Sequence, residues 1–163
     1  MSGFDGDPAM LDTALRANAA VCAMHMRGDP RTMQNDPRYA DVTAEILEYL
    51  RRRRDALETA GIAAERVCLD PGIGFGKTHE HNLTLMREVA AFHELERPLL
   101  VGHSRKGFIG KTLGEGFQDL ADRDQGTVGA SCAWPPRVCK FFASTTCRGT
   151  RNALRLFAAC TRP

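Results

Sequence analysis

Short, solid apolar runs recur along the chain, separated by longer stretches with apolar residues at helical spacing. Ala19-Ala20-Val21-Cys22-Ala23-Met24 is the first run, the pattern of a strand buried on both faces. Asp36-Pro37 predicts the opening of a helix whose apolar stripe is Val42, Ile46, Leu50 and Leu57 and which ends at Gly61. Val67-Cys68-Leu69 predicts a second strand, followed by a helix with Leu83, Met86, Val89 and Ala90 on its inner face. Leu99-Leu100-Val101 predicts a third strand, and Arg151 to Ala159 a final helix. Solid apolar strands alternating with helices imply βα units on a parallel sheet. In such folds function gathers at the C-terminal ends of the strands.

Three polar, glycine-containing segments stand at those ends. The most informative is Leu69-Asp70-Pro71-Gly72-Ile73-Gly74-Phe75-Gly76-Lys77. An aspartate ending a buried strand is costly unless it holds a partner, and a carboxylate suits the paired N–H donors of an aminopyrimidine edge. Three glycines permit close backbone approach to a flat ligand, and Phe75 offers an aromatic face. A βα turn capped by an aspartate would use the same residues, so locally both readings stand. Ser104-Arg105-Lys106 sets two cations and a hydroxyl after the third strand, suited to a carboxylate or phosphate or to a solvated turn. Met24-His25-Met26 puts a thioether and an imidazole after the first strand. His25 reads as a structural group and Met24 as a wall of a flat pocket. Arg51-Arg52-Arg53-Arg54 covers all sides of a helix and reads as solvated surface rather than one binding face.

Length and composition narrow the classes. With 163 residues the chain makes one domain, 1–163, with a real core. A net charge of +2 from 22 basic and 20 acidic side chains gives no argument for nucleic acid or membrane. No apolar run approaches the roughly 20 residues of a membrane span, and the first residues lack a signal-peptide pattern, so a cytoplasmic location is expected. The six cysteines include no C-x-x-C pair, and Cys22 and Cys68 read as small buried hydrophobes.

Taken in order, the three segments resemble dihydropteroate synthase. Met24 to Gln34 is similar to the family's Met-His-Met-Gln-Gly-x-Pro-x-Thr-Met-Gln, and Leu69 to Lys77 matches its Leu-Asp-Pro-Gly-Ile-Gly-Phe-Gly-Lys. Gly102-x-Ser104-Arg105-Lys106-x-Phe108-Ile109-Gly110 matches its Ser-Arg-Lys segment. The resemblance implies an α/β chain forming the C-terminal half of a (β/α)₈ TIM barrel of roughly 250 residues. Ser2-Gly3 looks like the Ser-Gly that follows the family's fourth strand, so roughly four βα units would precede it.

The resemblance also implies roles. Asp70 would hold the pterin's amino-pyrimidine edge, Met24, Gly74 and Phe75 would line the pterin slot, and Lys106 would touch both substrates. Ser104 and Arg105 would stand near p-aminobenzoate, and the catalytic residues would be Asp70 and Lys106. The substrates would be pterin pyrophosphate and p-aminobenzoate. Mg²⁺ would be held by ligands outside this chain, and the full-length family member would form a homodimer. A methyltetrahydrofolate methyltransferase pterin domain and a non-catalytic half-barrel are the alternatives; the Ser-Arg-Lys and Met-His-Met segments argue against the first.

Residues 132–147 depart from the family. Where it has Arg-Val-His-Asp-Val on the last strand, this chain has Ala143-Ser144-Thr145-Thr146-Cys147. One coding of the family segment, CGC GTC CAC GAC GTG C, becomes Ala-Ser-Thr-Thr-Cys when read one base later. The same shift carried back to Cys132 removes Trp134, Pro135, Pro136 and the crowded cysteines. A local frameshift is therefore expected, with a helix broken at Pro135-Pro136.

Overall fold

A computed structural model describes residues 7–116, 119–134 and 141–161. Its elements are α1 (Pro8–Arg16), β1 (Val21–Met24), α2 (Val42–Thr59), β2 (Val67–Asp70), α3 (His79–Arg87) and β3 (Leu100–Val101). They continue with α4 (Gly107–Leu113), α5 (Leu120–Cys132), β4 (Phe141–Phe142) and α6 (Cys147–Thr161). Short 3₁₀ segments lie at Ala64–Arg66 and Val89–Leu95.

The strands are parallel, as their solid apolar runs require. β1 pairs with β2 from Val21↔Val67 to Met24↔Asp70, and β3 pairs with β4 through Leu100↔Phe141 and Val101↔Phe142. A parallel bridge Leu69↔Leu99, with Leu69 N–H donating to Pro98 O at 2.9 Å, links the two pairs in chain order. Among the described residues this sheet does not close into a ring. The core lies on its outer side, where Ile46, Leu50 and Leu57 of α2 meet Leu69, Leu85, Phe92, Leu95 and Val101, all 2% exposed or less.

Three boundaries differ from the sequence reading. The helix expected at Asp36-Pro37 begins at Val42, where the Asp41 carboxylate accepts the Ala44 N–H at 2.9 Å. Asp36 has φ +136°, which no helical residue adopts. The next helix turns 3₁₀ after Glu88, so its expected inner face holds only in part, with Val89 buried and Ala90 turned outward. Leu83 and Met86 are half-buried and Ala90 is exposed. Asn82 and Leu85 point inward, followed by Val89, Phe92 and Leu95, which eclipse at the three-residue period. The final helix spans Cys147–Thr161 rather than Arg151 to Ala159.

The arginine run is less solvated than expected. Arg51 bridges Glu48 and Glu94, Arg54 donates to Leu95 O at 3.0 Å, and both tie α2 to the 3₁₀ segment. Of the departing stretch, α5 stops at Cys132, and Pro135-Pro136 and Cys139 lie outside the described residues. Trp134 is an integral core residue. It is 5% exposed, stacks on Phe142 with centroids 5.7 Å apart and donates to Met86 O at 2.7 Å.

Candidate functional site

The loop after β2 is built from its glycines and from bonds across the sheet. Gly72, Gly74 and Gly76 all have positive φ, between 64° and 83°. A Cβ on Gly72 would stand 1.8 Å from His25 O, and one on Gly76 would stand 2.3 Å from Arg27 O. Only glycine lets the loop after β2 lie this close to the loop after β1. Gln34 donates to Gly74 O at 2.7 Å, Gly74 N–H donates to Asn82 Oδ1 at 2.7 Å, and Tyr39 donates to Gly76 O at 2.9 Å. These contacts explain why the Met24–Gln34 segment accompanies the Asp70–Lys77 segment.

The loop presents Asp70 to a cavity of about 450 Å³ at the strand ends. Lining it are Met24, Asp70, Phe75, Ser104 and Lys106, with Thr145 on the far wall. One oxygen of Asp70 accepts the Gly72 N–H at 2.7 Å, and the other points toward Gly102. Burial pushes the Asp70 carboxyl up to about 6, against the pull of the Gly72 N–H and of Lys77 and Lys106. The net shift disfavours the ionised form by on the order of 3 kcal/mol, which a ligand donating two N–H groups would offset. Lys106 Nζ lies 3.7 Å from the Phe75 ring centroid, a cation–π contact that aligns its chain along the cavity wall. Burial lowers its pKa.

Behind the loop lies a pair missing from the sequence-derived site. Lys77, 3% exposed, puts Nζ 3.0 Å from His25 Nδ1 and 3.0 Å from Phe75 O. Burial and the nearby Lys77 lower His25 to about 3, so its neutral ring accepts the bond and His25 is structural, as expected. Burial also lowers Lys77 to about 7. Only the burial of a lysine ending a glycine-rich loop could have revealed this, and sequence alone does not show burial.

Arg105 does not share the cavity. Its guanidinium makes a two-pronged pair with Asp124 of α5 at 2.6 and 2.8 Å, and its backbone sits at φ +57°. Ser104 instead bonds Thr145 Oγ1 at 2.8 Å, joining the strand ends of β3 and β4. Cys22 and Cys68 are half-buried, not fully buried, because they face the open side of the sheet, and Cys22 lines the cavity. A second depression of about 420 Å³ beside α6 is lined by Arg151 and Arg155 and, among the described residues, by no carboxylate.

The geometry can be set beside known proteins. Residues 1–134 match the family model for pterin binding enzymes. Dihydropteroate synthase from Neisseria meningitidis serogroup C is 42% identical over 147 residues, covering 90% of this chain and 51% of the relative. The Escherichia coli dihydropteroate synthase is 47% identical over 110 residues, 68% of this chain and 39% of the relative. The chain belongs to the dihydropteroate synthase family of pterin-binding enzymes. It spans about half the length of the curated relatives it matches.

Solved dihydropteroate synthases share its fold. That of Stenotrophomonas maltophilia, with imidazole bound in its active site, superposes with a TM-score of 0.90 at 36% identity, over 99% of this chain and 60% of that one. That of Thermus thermophilus in complex with 6HMPPP gives 0.88 at 37% identity, over 97% and 61%. The four parallel strands thus match part of the dihydropteroate synthase TIM barrel. The family model stops at residue 134, inside the stretch where the chain departs from the family's motif.

Proposed function

We propose that this chain carries the pterin-holding wall of a dihydropteroate synthase. In that reaction the aromatic amine of p-aminobenzoate displaces pyrophosphate from the methylene carbon of 6-hydroxymethyl-dihydropterin pyrophosphate. A C–N bond forms, the C–O bond breaks, and the amine loses one proton. The observation that carries the reading is Asp70: buried, its pKa raised, one oxygen held by Gly72 and the other turned into a cavity walled by Met24, Phe75 and Lys106. Its carboxylate accepts the pterin's amino-pyrimidine N–H donors, while Phe75 and Met24 flank the ring. Lys106 reaches from the pterin toward p-aminobenzoate, with Ser104 beside it. Support comes from relatives whose structures hold 6HMPPP and 4-aminobenzoate. Arg105, paired to Asp124, acts on the second substrate only if that pair opens.

Mg²⁺ finds no fitting ligand set on this wall of the cavity. Among the described residues no three His, Cys, Asp or Glu side chains stand together as metal ligands. The cavity's one carboxylate, Asp70, is flanked by Lys77 and Lys106 and does not fit a hard cation.

Asp70 makes pterin affinity pH-dependent. The ionised form accepts two donors, and free Asp70 titrates near 6, so affinity falls as pH drops through that value. Calorimetry with 6-hydroxymethyl-dihydropterin should show binding about tenfold weaker at pH 5 than at pH 7 and above. Equal affinity across that range would remove Asp70 from the site.

The frameshift reading of 132–147 belongs to the same proposal, supported by the end of the family match at residue 134. Genomic reads should show a one-base loss near codon 132 and a one-base gain near codon 147. Clean reads in the present frame would make the stretch a genuine divergence.

A further inference from the structure

β1 and β2 place two cysteines side by side beneath the pterin cavity. Cys22 and Cys68 are direct register partners on adjacent parallel strands. Cys22 lines the cavity two residues before Met24, and Cys68 precedes Asp70 by two, so both side chains face the open side of the sheet. Both are half-buried and free. The sulfurs are near enough for the Cys22 thiol to donate to Cys68, which raises Cys22 and lowers Cys68 from the ordinary thiol value.

The spacing selects what can join them. Neighbouring parallel strands lie about 4.8 Å apart, so paired Cβ atoms stand at about that distance. A disulfide tolerates Cα separations of about 4.4–6.8 Å but favours Cβ atoms about 3.8 Å apart, so an S–S bond between register partners would draw the pair together. A thiophilic ion between the sulfurs adds two metal–sulfur bonds, about 2.3 Å each in the zinc case, and so tolerates a wider separation than an S–S bond does. Soft thiolate donors select soft d¹⁰ ions over hard cations.

We propose that Cys22 and Cys68 form a two-thiolate site for a soft monovalent ion of the Cu(I) class, on the floor of the pterin cavity. Binding releases both thiol protons and leaves a Cys22–Cu–Cys68 unit of net charge −1, with no oxidant or reductant involved. That charge lies beside Asp70, whose carboxylate already interacts with both sulfurs. It disfavours ionised Asp70 and fills part of the floor, so the loaded site weakens pterin binding. This last consequence alone rests on the pterin reading of Asp70.

The test uses the full chain, reduced and anaerobic, with Cu(I) delivered from a chromophoric chelator. One ion should bind tightly per chain. Cys22→Ser or Cys68→Ser should weaken binding by at least about 100-fold, since losing a ligand costs more than the roughly 10–100-fold of losing a partner behind one. A variant with Cys132, Cys139, Cys147 and Cys160 all changed to Ser should retain it. Iodoacetamide footprinting of the unaltered chain guards against misfolded variants: Cu(I) should protect Cys22 and Cys68 and leave the other cysteines labelled. Tight binding in Cys22→Ser, its loss in the four-serine variant, or protection of other cysteines instead would overturn the site. If Cu(I) binds this pair but leaves pterin affinity unchanged, the metal site stands and its link to Asp70 fails.

Discussion

Asp70→Asn should weaken binding of 6-hydroxymethyl-dihydropterin by at least about 100-fold, with the chain still folded. The substitution is nearly isosteric, and Asn can still accept the Gly72 N–H that orients the loop. What changes is the outward-facing position, where one acceptor becomes an amide donor aimed at the ligand's own N–H groups. Losing a charge-assisted pair and leaving buried donors unmatched costs about 3 kcal/mol or more, which sets the factor. Calorimetry on the two proteins, with melting curves to confirm folding, checks it. A variant that binds pterin as tightly as the parent would show that the carboxylate is not the pterin's partner.

The 163-residue chain by itself should show no measurable synthase turnover. Its four described strands leave β1 and β4 paired on one side only, so the ring of strand ends that surrounds a barrel site is open. At the tip of β4 stand Ala143 and Thr145, where the resemblance implies Arg and His, and neither can neutralise a departing pyrophosphate. Thr145 is already committed to Ser104. Removing one preorganised donor from such a site costs on the order of 10²–10³ in rate, and here several are lost together. Supplying pterin pyrophosphate, p-aminobenzoate and Mg²⁺ and following dihydropteroate checks this. Turnover within about tenfold of a typical enzyme's ~10 s⁻¹ would refute it.

Most of the cavity lining was legible in the sequence, although Gly74, expected in the same slot, is not among the residues that line it. Asp70, Phe75 and Met24 lie next to buried strands, and the strand ends set their direction whatever the distant chain does. Lys106 follows from the same rule after β3. Arg105 was not legible, because its partner Asp124 lies 19 residues on, on a helix the apolar pattern did not reveal. α5 carries glycines and charges and buries only Thr127 and Ser131, so it has no apolar stripe. Its inner residues accept and donate to His103 and Arg105 rather than packing carbon. The start of α2 failed for another reason: Asp36 and Asp41 are equally good caps by type, and the positive φ at Asp36 decides between them. Trp134 shows that a stretch foreign to the family motif can still serve the core, since its ring clusters with His103 and Phe142.

Where a pterin lies in this chain decides the role proposed for Asp70. A crystal structure with 6-hydroxymethyl-dihydropterin should place the ligand's amino-pyrimidine edge within hydrogen-bond distance of the free Asp70 oxygen, with its ring between Met24 and Phe75 and Lys106 at its edge. A pterin bound elsewhere, such as the depression beside α6, or in this cavity with Asp70 untouched, would contradict it.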